Sequence, residues 1–374
     1  MESHLALGFL FLIVAGLCNG LWAAPSRYVR DFPWENLWFT AFSLTMVVIP
    51  AIAIGLLLKG PLATVQHVLQ QRGPLPVVAP VFFGFLWGIG FILFTIVLKD
   101  VGFSLTYAIV FGLINLFGSI LPLAIENSER VFTTGGKIVL LGIAVGTLGV
   151  AAVGYAGVLR DQPKISRSLE SSSPRRSLGR ILVVCLITGF FCACPNLGFT
   201  IGAPVQEASE KVFGNPSSLA TFAIWMLVFA GGFLAAGSYS FGLLVKNRSW
   251  GHFASSHVLR NLGLATAVAV IHFGIFTSYG VGAYLLGPLG KTVGWAVQFS
   301  LALIVANVFG FATGEWRGAS PVSRRWILSG IGVLILSSVI LTVGSKMAGQ
   351  HNEDDAYGNR TPGLCTISAR GATG

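Results

Sequence analysis

Gly84-Phe-Leu-Trp-Gly-Ile-Gly90 sets three glycines and a tryptophan within seven residues, a density that invites reading as a phosphate-cradling loop. Its surroundings decide otherwise. The run 77–98 that contains it is apolar and of spanning length, and backbone donors left unpaired in hydrocarbon cost several kcal/mol each. Gly84 and Gly88 therefore form a GxxxG face on a helix, where missing side chains let a neighbouring backbone approach closely. The same spacing recurs at Gly16/Gly20, Gly142/Gly146 and Gly310/Gly314. Packing is the expected role of each pair, with a glycine-lined opening for substrate as the alternative.

The rest of the chain agrees with a membrane-embedded reading. Of its 374 residues, 54% are hydrophobic and only 10% charged, with a mean hydropathy of +0.77; about a quarter of a soluble domain is charged. Apolar segments of spanning length fall at 5–24, 36–58, 77–98, 103–124, 137–158, 179–201, 218–244, 260–280, 292–312 and 326–344. These ten, numbered spans 1 to 10, predict an all-α polytopic membrane protein. The net charge of +10 is spread between apolar runs and forms no basic stripe with interleaved aromatics, so it sets topology and meets lipid; nucleic acid is not an expected partner.

The polar, serine-rich and basic stretch 159–178 divides the chain into a first five-helix repeat, 1–158, and a second, 179–344; residues 345–374 read as a polar disordered tail. With five spans per half, the second half enters the membrane inverted relative to the first. The two halves are accordingly expected as inverted five-helix repeats. The last spans of the halves match best. "KIVLLGIAVGTLGV" from Lys137 and "RWILSGIGVLILSS" from Arg325 share a basic residue, an apolar pair and then Gly142 or Gly330 in step. Spans 4 and 9 correspond loosely, with Tyr107 and Trp295 at entry and Glu126 and Glu315 at exit. Of the 24 Lys and Arg, 15 fall at the connections after odd-numbered spans and 9 on the other side, which places the richer side in the cytoplasm and both termini outside.

Chemistry inside the spans is sparse. No Asp or Glu lies well within one, and Glu126 and Glu315 at span ends read as interfacial and structural. His272 is the only histidine deep in a span, and its ordinary pKa near neutrality suits a proton carrier, with a hydrogen-bonded core histidine as the alternative. Amides and aromatics are richer. Asn19, Asn115, Asn196 and Gln298, beside Trp22, Trp87, Tyr107 and Trp295, supply paired donors and acceptors next to flat faces, as a neutral polyhydroxyl ligand needs in a dry cavity. Each amide could instead bond a neighbouring helix. Pro122 and Pro195 are expected to interrupt their spans and free backbone carbonyls, the segment around Pro195 being a candidate broken helix. The cysteines form no CxxC pair, and no metal or cofactor site is expected. No metalloprotease, nucleophile-elbow or P-loop pattern appears, so the chain reads as a gradient-driven transporter, not an enzyme.

Four stretches resemble the L-rhamnose-proton symporter family of the drug/metabolite transporter superfamily. They are "WENLWFTAFSLTMVVIPAIAIGLLL" from Trp34, "GFLWGIGFILFTIVLKDVGFSLTYAIVFGLINLFGSILPLAI" from Gly84, "GGKIVLLGIAVGTLGVAAVGYAG" from Gly135 and "GEWRGASPVSRRWILSGIGVLIL" from Gly314. The closest positions are Trp34 and Glu35, Trp87 to Gly90, and Glu315 and Trp316. The resemblance implies a multi-pass carrier of the inner membrane, built from two inverted five-helix repeats, that imports a neutral deoxy sugar such as rhamnose together with a proton. The lipid bilayer, the sugar and the proton are then its partners. A facilitator or exporter of another small metabolite is the alternative reading.

Overall fold

The computed structural model describes residues 2–101, 107–126, 128–169 and 178–358, and every regular element among them is helical. Among the described residues, ten helices are long and apolar enough to cross a membrane: His4–Tyr28, Trp34–Leu57, Leu75–Thr95, Ile109–Glu126, Thr134–Arg160, Val183–Lys211, Ser217–Asn247, Val258–Leu285, Gly287–Ala312 and Pro321–Ala348. They correspond one for one to spans 1 to 10. Large apolar side chains such as Leu10, Leu148, Leu234, Val270 and Leu328 stay exposed on the outside of the bundle. In water such a surface would aggregate, and its extent fits a multi-pass membrane protein. Two helices continue beyond their spans, one to Leu169 and the last to Gly358.

The glycines of the opening motif do close-packing work on two sides of span 3. A Cβ at Gly84 would fall 2.0 Å from the Val228 carbonyl oxygen, and one at Gly88 2.6 Å from that of Gly232, both on span 7. Gly90 points to span 6, where a Cβ would meet Cys192 N at 2.9 Å. Gly16 and Gly20 seat span 1 on span 9 in the same way, and Gly142 and Gly146 seat span 5 on span 10. The fourth pair does not pack as a helix face. Span 9 ends at Ala312, so Gly314 lies in the following turn with φ +79, a left-handed conformation that glycine adopts at no steric cost.

The prolines also differ from expectation. Pro122 and Pro195 both lie inside continuous helices. Proline at 122 leaves the carbonyl of Gly118, one turn earlier, without its helical donor. The Asn196 side-chain amide donates to that oxygen at 2.7 Å, so a neighbouring helix repairs the gap and span 4 remains α-helical to Glu126. The segment around Pro195 does break, but at Gly202, between Leu178–Ile201 and Ala203–Lys211; π-helical turns occur at Leu44–Val48 within span 2, Phe233–Gly237 within span 7 and Tyr107–Phe111 at the entry to span 4.

Helices of the two sequence halves interleave. Span 1 packs on spans 8 and 9, span 6 on spans 3 and 4, and span 5 pairs along its length with span 10. The connections after spans 1, 7 and 9 gather at one end, where Asn247 and Ser249 donate to Glu35 and Arg27 pairs with Glu315. The connections after even-numbered spans gather at the other end, where Asn215 bonds both backbone groups of Lys59 and Lys291 pairs with Glu126.

Candidate functional site

A cavity of about 560 Å³ opens at the odd-connection end, between spans 1, 2, 3, 4, 5 and 9. Its walls are apolar and aromatic: Trp22, Trp34, Trp38, Phe91, Phe94, Phe111 and Phe309. Inward it continues into a recess of about 80 Å³ that shares Asn19, Trp22, Phe91, Phe94 and Phe111 with it. The helical period explains part of this lining. Trp87, Phe91 and Phe94 recur at four- and three-residue steps and so share one face of span 3.

The recess brings together six of the residues singled out from the sequence: Asn19, Trp22, Trp87, His272, Trp295 and Gln298. The imidazole of His272 stacks on Trp22 with centroids 4.7 Å apart and an interplanar angle of 21°, and Trp87 stands 5.8 Å away on another side. Trp22 is itself held edge-on by Trp38 at 5.5 Å. Trp295 donates its indole N–H to the Ile114 carbonyl at 3.1 Å, which fixes the ring between spans 4 and 9. Gly118 makes room for it, since a Cβ there would fall 2.0 Å from the indole nitrogen.

Gln298 has a different status. It is wholly buried, and neither its Nε2 nor its Oε1 has a hydrogen-bond partner among the described residues. A primary amide buried in this way loses its hydration without compensation, at a cost of roughly 1–3 kcal/mol per unpaired group. Such a group on the wall of a recess is available to a ligand that can both donate and accept. Among the described residues lining the recess there is no carboxylate, lysine or arginine.

Three other sequence candidates lie elsewhere. Asn196 bonds Gly118 O, Lys291 O and the Tyr279 hydroxyl, away from both cavities. Asn115 is buried beside Gly146 with both amide atoms unpartnered, in the packing between spans 4 and 5. The side chain of Tyr107 lies outside the described residues.

Charged groups that the sequence presents as topology-setting gather at the cavity mouth. Glu315 pairs with Arg27 and lies 3.9 Å from Arg160 Nη1. The Arg160 guanidinium also sits 4.8 Å from the Trp316 ring centroid, a cation-π arrangement. No signal in a single sequence separates these from ordinary connection charges, because their convergence depends on how spans 1, 5 and 9 pack. No cluster of three potential metal-ligating side chains occurs among the described residues.

Comparison with known proteins gives one consistent family. A family model described as L-rhamnose-proton symport protein (RhaT) matches residues 1–349. An L-rhamnose-proton symporter of Citrobacter koseri is 23% identical over 359 residues, covering 93% of this chain and 98% of that protein. The L-rhamnose-proton symporter of Yersinia pestis strain Pestoides F is 23% identical over 354 residues, covering 92% of this chain and 99% of its own length.

Proposed function

The chain belongs to the L-rhamnose-proton symport protein family, and from that premise we propose that it carries L-rhamnose or a related neutral deoxy sugar inward across the inner membrane together with a proton. The observation that carries the reading is the recess: an unpartnered Gln298 amide facing stacked aromatic rings, with no fixed carboxylate, lysine or arginine among its described lining. A sugar offers alternating hydroxyls for the amide and an apolar ring face for indole, and a neutral one meets no buried counter-charge. Asn19, Trp22, Trp87, Trp295 and Gln298 are the proposed contacts. Tyr107, Asn115 and Asn196 complete the proposed set of substrate-binding residues as the sequence suggests it.

Alternating access of two inverted halves is the proposed mechanism, and the packing supports it. The register that aligns Lys137 with Arg325 pairs Gly142 with Gly330 and Val153 with Leu341. A Cβ at Gly142 would meet Leu341, and one at Gly330 would meet Val153, so the two contacts exchange under that register. Spans 2 and 7 each carry a π-helical turn at mid-length. The proposed halves are 1–158 and 179–344, divided at the basic, serine-rich stretch 159–178. With the Lys- and Arg-rich connections in the cytoplasm, the cavity opens inward and the structure is the sugar-releasing state.

Uptake of labelled L-rhamnose into proteoliposomes, with and without an inward proton gradient, tests the function. Accumulation only with the gradient is expected; equilibration without accumulation in either condition would make the chain a facilitator, and no uptake by folded protein would remove rhamnose as the substrate. We assign proton coupling to His272, the one histidine in the recess. His272→Gln is then expected to abolish uphill uptake while sparing sugar counterflow, and unchanged accumulation would end the assignment.

A further inference from the structure

We infer that Lys291 is the hub of a gate that closes the recess at the end of the bundle opposite the cavity. The inference rests on the alternating-access reading above. Lys291 begins span 9 and joins three other spans at once. Its ammonium donates to Glu126 Oε1 of span 4 at 2.5 Å and to the Thr200 carbonyl of span 6 at 3.4 Å. Its own carbonyl accepts from Asn196 Nδ2 of span 6 at 3.1 Å and lies 2.9 Å from the Tyr279 hydroxyl of span 8. That hydroxyl also contacts Asn196 Oδ1, and the Asn196 amide reaches the Gly118 carbonyl that Pro122 leaves free.

The register of the four helices ties this network to the recess. In each span one residue lines the recess and the residue one turn nearer the far end belongs to the network: Ile114 and Gly118, Cys192 and Asn196, Ile275 and Tyr279, Trp295 and Lys291. Side chains four apart on a helix lie on one face. The floor of the recess is therefore one helical turn thick, and Lys291 fastens its far side. Opening the recess to that end requires spans 4, 6, 8 and 9 to part at this level, which separates Lys291 from Glu126, Thr200, Asn196 and Tyr279 together. The hub uses a main-chain acceptor that no substitution at 291 removes, so the adjustable parts are the Lys291 ammonium and the Tyr279 hydroxyl.

The test needs no sugar. In a background with Cys18, Cys185, Cys194 and Cys365 replaced by Ala, Cys192 is the single thiol, and it lines the recess. A small, charged, membrane-impermeant methanethiosulfonate is applied separately from each side of oriented vesicles. The parent should react from the cavity side and be protected from the other. Lys291→Gln and, with minimal change of shape, Tyr279→Phe should each raise the rate from the protected side about tenfold, the shift expected from removing a hydrogen bond to a charged group or a buried network member. An unchanged rate from that side in both variants, with cavity-side labelling retained as proof of fold, would overturn the gate. Failure of rhamnose uptake alone would leave this result standing and bear only on the substrate.

Discussion

The two ends of the bundle hold their charges in different ways. At the mouth, Arg27 and Glu315 keep 47% and 34% of their side chains exposed, and the carboxylate is shared with Arg160 above an open cavity. At the far end, Lys291 and Glu126 keep 18% and 29%, and they are knit to an amide, a hydroxyl and two main-chain carbonyls. Water competes for an exposed pair and screens it, whereas a covered network keeps more of its strength. One end is thus held by charges that exchange readily with solvent, the other by bonds that must break together. That asymmetry is what a carrier caught open on one side requires.

The largest effect is expected where the far end has no slack. Gly118→Ala puts a methyl 2.0 Å from the Trp295 indole nitrogen, and the indole cannot retreat without giving up its bond to Ile114. Overpacking of this kind costs about 1–3 kcal/mol. Thermal unfolding in detergent should fall by several degrees and transport should drop at least tenfold. The matching change at the mouth is Gly310→Ala, where the new methyl meets Glu315 Oε2 and Trp316 Nε1 at 3.3 Å. It should leave both readouts near the parent, and an equal loss there would refute the contrast between the ends.

Between the ends, Gln298 offers an effect with two opposite signs. Gln298→Leu keeps the volume and removes a buried amide that has no partner in the protein. Replacing such a group by an apolar one of similar shape is neutral or stabilising for the empty protein. Loss of hydrogen bonds to sugar hydroxyls should weaken binding by roughly tenfold, at about 1.4 kcal/mol. Binding by calorimetry and thermal unfolding on the same sample check both signs. Parental affinity would remove Gln298 from the site.

The order of these effects also marks what the sequence made readable. Ten spans follow from hydropathy alone, and Gly84 and Gly88 announce a close approach because only a backbone contact needs both Cβ atoms missing on one helix face. His272, Trp87 and Gln298 stand out because polar and aromatic groups are costly or conspicuous inside apolar runs, and all three reach the recess. Lys291 was not readable in the same way, since one lysine in a short connection has the pattern of a topology charge. Its role needs three partners brought from spans 4, 6 and 8. Asn196 was legible as a polar residue in a span but not as the partner of Gly118, because that bond depends on Pro122 freeing a carbonyl in another helix. Gly310 and Gly314 fit the packing pattern on paper. The helix ends between them, and a spacing rule has no knowledge of where a helix stops.

The smallest expected effect belongs to Glu315. Exposed ion pairs contribute about 0–1 kcal/mol, which bounds the change in gating for Glu315→Gln at roughly fivefold. Arg160 retains its place on the Trp316 ring when the carboxylate charge is gone, so the mouth should keep its shape. Salt then distinguishes the two ends without mutation. The Debye length falls from about 10 Å at 0.1 M to about 3 Å at 1 M ionic strength, and raising it should move the parent toward the Glu315→Gln rate at the mouth. The protected-side labelling of Cys192 should stay nearly constant over the same range, because the Lys291 network excludes more solvent and four of its six bonds involve no net charge. A salt response of equal size from both sides would mean that the two ends are fastened alike.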